Sequence, residues 1–178
     1  MSRRADARGA PRPLVSQGRR IAARPGRIVV AVRAPAELRD RRAALAGDAR
    51  RALRFLGEAA CELSIALVDD REIASLNHAY RGKDRPTDVL SFAQREGEAV
   101  APGLLGDVVI SFDTAARQAR RRGARVEDEL RHLLVHGLLH LLGYDHERSP
   151  ADARRMFRRA REVLAFLRSP APRARRAS

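Results

Sequence analysis

The stretch from Glu127 to His146 restricts this chain more than any other. Leu130, Leu133, Leu134, Gly137, Leu138 and Leu141 recur at the spacing of one helical face, so a helix with a continuous core side is expected here. Glu127, Asp128 and Glu129 fall in its first turn, where carboxylates oppose the positive end of the helix dipole. Gly143 can take the left-handed backbone that stops a helix and reverses the chain. His136 and His140, four residues apart, sit one turn above each other at the border of the core face, and the reversal can bring His146 back to them. The pattern His-x3-His-x5-His can therefore chelate one ion. Three imidazoles leave one position of a tetrahedral zinc site open to water or substrate, which is the catalytic rather than the structural arrangement. Zinc is the expected metal; imidazole also suits nickel, copper and iron.

His132 is a rival ligand one turn earlier. Histidines at i, i+4 and i+8 on a straight helix span about 12 Å, too far for one ion to bridge. His132 is therefore read as a possible residue behind the ligands, and the isolated His78 as a surface residue. The triplet has the spacing of the metzincin proteases, His-Glu-x-x-His-x-x-Gly-x-x-His. Those enzymes carry a glutamate base directly after the first histidine; here that position is Gly137, which can move no proton. The chain keeps the metal and loses the peptidase base.

One domain with a real core is expected of 178 residues. The net charge is +14, built from 35 arginines and the single Lys83, and most of it lies at the ends: +6 in residues 1–26 and +4 in 168–178. Such a balance favours nucleic acid or another anionic surface as partner, although solvated tails explain it as well. Residues 1–26 lack the apolar core of a secretory signal, and their Arg-rich, acid-poor character resembles a transit peptide only weakly, so a disordered basic extension is expected there. The globular domain is expected at 27–168, with a second disordered basic tail at 169–178. The lone Cys61 excludes an internal disulfide and suits a reducing, cytoplasmic setting. No segment is apolar for long enough to span a membrane.

Along the domain, strands are expected at 27–33, 61–68, 89–92 and 104–111. Helical stripes run from Leu38 to Leu56, from Ile73 to Tyr80 and from Phe112 to Ala119, before the histidine helix. Asp69 with Glu72 resembles a capping box. Ser149-Pro150 opens a last helix, in which Met156, Phe157, Ala160, Val163, Leu164 and Leu167 are expected to face inward. Three further side chains have chemistry to offer. Arg81, in the basic loop 81–87, can clamp a phosphate bidentately. Asp107 interrupts the apolar strand 104–110 and is either exposed or lines a cleft, where it can orient a histidine or a water. Asp145 adjoins His146, where it serves the ligands or the turn.

Four segments resemble one family, the YbeY endoribonucleases, bacterial rRNA maturation factors. They are LNHAYRGKDRPTDVLSF at 76–92, LGDVVIS at 105–111, Glu129–Leu134, and HGLLHLLGYDH at 136–146. The resemblance implies an α+β fold with a mixed sheet of about four strands and five helices. It implies one zinc on His136, His140 and His146, with Arg81 and His136 at the family's functionally important arginine and first essential histidine. It further implies single-strand-specific cleavage of RNA, maturation of the 16S rRNA 3′ end, and ribosome quality control. Ribosomal RNA and the small subunit would be the partners, with small-subunit ribosomal proteins and an Era-type GTPase as further contacts. The alternatives are a metalloprotease-like hydrolase and a non-catalytic assembly factor with a structural zinc.

Overall fold

The computed structural model describes residues 27–94 and 103–169. The disordered extension expected at 1–26 and all but the first residue of the tail expected at 169–178 lie outside those residues. The chain runs β1 (Ile28–Arg33), a 3-10 turn (Ala36–Leu38), α1 (Arg39–Phe55), β2 (Cys61–Val68), α2 (Asp70–Arg81), β3 (Val89–Ala93), β4 (Leu104–Ser111), α3 (Phe112–Arg121), α4 (Val126–Leu141) and α5 (Pro150–Arg168). This is an α+β fold whose mixed sheet has the order β1-β2-β4-β3, with β3 antiparallel to β4 and the other pairs parallel.

The two faces of the sheet are covered unequally. Leu63, Ile65, Leu105, Val108 and Ile110 pack with Leu45, Leu53, Leu134, Leu138 and Met156, so α1, α4 and α5 share the main core. On the other face Ala66, Val68, Leu90 and Val109 meet only Ile73 and Leu76 of α2, with Tyr80 and Phe92 at the edge. β4 changes its alternation partway. Its register against β2 passes from Glu62↔Leu104 to Leu63↔Gly106, which leaves Leu105 as an extra residue in a bulge. Gly106 has φ +144, and a Cβ there would lie 2.2 Å from the Phe92 carbonyl oxygen, so only glycine fits.

Local signals explain most boundaries. The Asp69 side chain accepts from the Glu72 N–H at 2.7 Å, and Ser149 accepts from the Asp152 N–H at 3.1 Å, each opening its helix. The capping box is only half formed, because the Glu72 carboxylate turns to Arg33 of β1. Arg81 is the last residue of α2 rather than part of the loop, since Gly82 caps the helix directly after it. Phe157 does not face inward: it is 51 % exposed, while Met156, Ala160, Val163 and Leu167 form the buried stripe and Leu164 is half-buried.

Candidate metal centre

α4 lies against the sheet at Gly137. A Cβ on that residue would stand 2.8 Å from Val108 Cγ1 and 3.1 Å from Ser91 Oγ. The missing side chain lets the helix sit close, and His136, on the adjoining position, is carried to the rim of the helix–sheet contact. The position that holds the base in metzincins therefore points into packed sheet, where a glutamate has no room.

The helix then ends in a Schellman motif. The Tyr144 N–H donates to the Leu139 carbonyl and the Gly143 N–H to the His140 carbonyl, both at 3.0 Å, with Gly143 at φ +84. The reversal returns His146 to the first two histidines. Ring centroids are separated by 4.7 Å (His136–His140), 5.2 Å (His136–His146) and 5.1 Å (His140–His146). One ligand nitrogen from each ring lies within 4.8 Å of the others.

The donor set fits a transition-metal ion. His136 Nε2 and His140 Nε2 are 3.1 Å apart, against about 3.3 Å for two nitrogens on a tetrahedral zinc. His146 Nδ1 is buried without a hydrogen-bond partner, an expensive state for a nitrogen that has no role. Burial, then the neighbouring His140, His146 and His132, lowers the pKa of His136 to about 4, and burial followed by His146 lowers that of His140. Both rings are thus neutral near pH 7, with lone pairs free for a ligand bond. Among the described residues no fourth histidine, cysteine or carboxylate joins the group.

The remaining candidates separate by face. Arg81 is exposed, makes no ion pair or hydrogen bond with the described residues, and stands near enough to His140 to lower its pKa. Among the described residues it is an unpaired cation whose charge is felt at His140. Asp145 accepts from the Glu147 N–H at 2.8 Å and pairs with Arg148 at 3.2 Å, so it builds the turn while its charge favours the protonated form of His140. His132 is exposed and outside the trio, touching His136 only through its charge. His78 is a surface residue, 2.6 Å from Asp84.

Asp107 is buried rather than exposed, and it is not part of the histidine group. Val108 faces α4, so Asp107 points the other way, toward α2, opposite Ser64 and Phe92 in the ladder. It is buried, accepts from Gln94 Nε2 at 2.6 Å, and is held above the usual carboxylate range by burial, which the Gln94 and Ser64 hydrogen bonds partly offset. As Asp145 acts through its charge on His140, so the carboxylate acting on His136 is Asp88. It is fixed by the Val89 N–H at 2.9 Å and by Gln118 Nε2 at 3.0 Å. The sequence reading missed Asp88 and Ser91, because their place depends on how β3 packs beside α4.

Residues 37–168 match the family model Endoribonuclease YbeY. The chain belongs to the YbeY endoribonuclease family. It is 54 % identical over 123 residues to the Endoribonuclease YbeY of Syntrophotalea carbinolica, covering 66 % of this chain and 82 % of that protein. It is 50 % identical over 116 residues to that of Aquifex aeolicus, covering 65 % and 77 %. A solution structure of a Thermotoga maritima protein superposes with a TM-score of 0.52 at 26 % identity, over 79 % of this chain and 89 % of that one. The YbeY match spans the histidine trio, Arg81 and Asp88 alike.

Proposed function

We propose that this chain is a zinc-dependent endoribonuclease that cuts single-stranded RNA, acting on the 16S rRNA 3′ end during small-subunit maturation and ribosome quality control. The observation that carries the reading is the trio itself: three half-buried ligand nitrogens within 4.8 Å of one another, with the charge of Arg81, unpaired among the described residues, felt at His140. The family's printed name, Endoribonuclease YbeY, supplies the substrate class.

In this reading His136, His140 and His146 hold the ion. When bound, such an ion supplies Lewis-acid polarisation of a phosphate oxygen and activation of water. Arg81 binds the phosphate through its planar fork of N–H donors and stabilises the negative charge that grows on it. Asp88 puts a negative charge within electrostatic reach of His136, which favours a cation held there. Gly137 offers no base, and its contact with Val108 leaves no space for one, which disfavours the peptidase alternative. The setting is the cytoplasm, with the small subunit, its proteins and an Era-type GTPase as proposed contacts; no helix among the described residues is long and apolar enough to cross a membrane.

Cleavage of a single-stranded rRNA fragment by wild type, and by His136→Ala and Arg81→Ala, tests the chemistry. Loss in both variants is expected; equal cleavage in all three assigns the activity to a contaminant. Mapping of 16S 3′ ends in cells lacking the protein, complemented with wild type or His140→Ala, tests the biology. Full rescue by His140→Ala would replace a cutting role with a scaffolding one.

A further inference from the structure

Phe157 stands off the buried stripe of α5, and at 51 % it is the more exposed of two large apolar side chains in water among the described residues. The other, Phe166, stacks on Phe55 at 4.8 Å. Phe157 instead borders the metal centre, its ring centroid 6.0 Å from that of His146 and tilted by 37°. Arg154 and Arg161, three before and four after it, share its helical face, and Arg158 adjoins. All three arginines are exposed and make no ion pair or hydrogen bond with the described residues. Arg159, one step round the helix, behaves differently: it pairs with Glu162 at 2.8 Å and covers the Phe55 ring.

A bare aromatic face among unneutralised cations is how proteins hold single-stranded nucleic acid, since every base has a π-face and every nucleotide a charge. A base is joined to its phosphate through one ribose, so a ring at the edge of the trio is within reach of the nucleotide being cut. We propose that Phe157 stacks against an unpaired base next to the reacting phosphate, while Arg154, Arg158 and Arg161 hold the neighbouring phosphates. The inference rests on the endoribonuclease reading and deepens it: a duplex keeps its bases stacked on each other and cannot present one to Phe157, which gives a physical source for single-strand selectivity.

The chain has no tryptophan, so Phe157→Trp installs a lone fluorescent reporter. Titrated with single-stranded RNA in the cleavage-deficient His136→Ala background, its emission is expected to be quenched; the matching duplex, or a strand with abasic nucleotides, should quench about tenfold less effectively. Phe157→Ala should raise KM for single-stranded RNA roughly tenfold with kcat kept, and Phe157→Leu should resemble Ala rather than wild type. The triple variant Arg154→Ala, Arg158→Ala, Arg161→Ala should lower the slope of log affinity against log salt by about 2. If wild type cuts RNA and Phe157→Ala keeps its KM within twofold, the inference falls and the nuclease reading stands. Full rescue by leucine would make the contact merely apolar, as for a protein partner, and would also overturn it. A wild type that neither binds nor cuts RNA removes both.

Discussion

Gly137→Ala and Gly47→Ala add the same methyl group to the interior of a helix and should have opposite effects. A Cβ on Gly47 of α1 meets nothing within 4 Å. That substitution should stabilise the protein by about 0.8 kcal/mol, the ordinary gain of alanine over glycine in a helix. A Cβ on Gly137 meets Val108 Cγ1 at 2.8 Å and Val108 Cγ2 at 3.2 Å, where carbon pairs settle at about 3.5–4.0 Å. Val108 is fully buried and stiff at χ1, so it cannot swing aside; α4 must lift off the sheet by several tenths of an ångström. Overpacking of this kind costs about 1–3 kcal/mol, and the helix-propensity gain returns about 0.8, leaving a net loss near 1 kcal/mol. The two variants should thus differ by about 2 kcal/mol, or roughly 6 °C in Tm for a domain of this size. Urea and thermal unfolding of metal-free protein measure it. Val108→Ala should relieve the clash, so the double variant should be more stable than the two single losses added together. If Gly137→Ala is stabilised as much as Gly47→Ala, the close approach of α4 to the sheet is wrong, and with it the reason His136 lies where it does.

The other expectations are as direct. Gly106→Ala forces a Cβ to 2.2 Å from a backbone oxygen at φ +144, so a loss of roughly 4 kcal/mol or failure to fold is expected, and a Tm within 3 °C of wild type would contradict the bulge. Glu129 is buried and bonded by Arg122 Nη1 at 2.7 and 2.8 Å, while Arg122 is exposed; Arg122→Ala, which strands a buried carboxylate, should cost about 3 kcal/mol and Glu129→Gln clearly less, by urea melts at pH 7. His136 has a folded pKa of about 4 against an ordinary 6.5, so between those values the unfolded chain takes up a proton that the folded one refuses. Its contribution is full above pH 6.5 and is lost as pH falls toward 4, by up to about 3 kcal/mol in chelator-treated protein. Equal urea midpoints at pH 7 and pH 4.5 would mean that the ring is not held neutral by burial.

What could be read from the sequence was what is local in it. His136, His140 and His146 lie within eleven residues, and helix periodicity plus one turn-forming glycine suffices to converge them. The caps at Asp69 and Ser149 are equally local. Arg81 was legible as a cation and, through resemblance, as a partner of the trio, but its free state depends on Gly82 ending α2 where it does. Phe157 was misplaced because periodicity marks two adjacent positions as nearly equivalent, and only the packing of α5 decides that Met156 takes the core.

Asp107 and Asp88 show the same limit with consequences for the site. Strict alternation would put Asp107 on the face of Leu105, beneath α4, where a carboxylate could serve the histidines. The bulge makes Leu105 the extra residue and breaks the alternation there, so Leu105 and Val108 both join the main core and Asp107 turns to the α2 face. Gly106 carried a signal, since a glycine inside a strand often marks a bulge, but its effect on facing follows only from which pairing slips. The acid that reaches His136 is then Asp88, at the mouth of β3 and 48 residues away in sequence. The bulge at Gly106 thereby takes Asp107 off the α4 face, and Asp88→Asn should perturb metal affinity where Asp107→Asn perturbs only stability. Equal metal affinity in the Asp88 variant and wild type, by competition with a chelating dye, would show that neither acid belongs to the site.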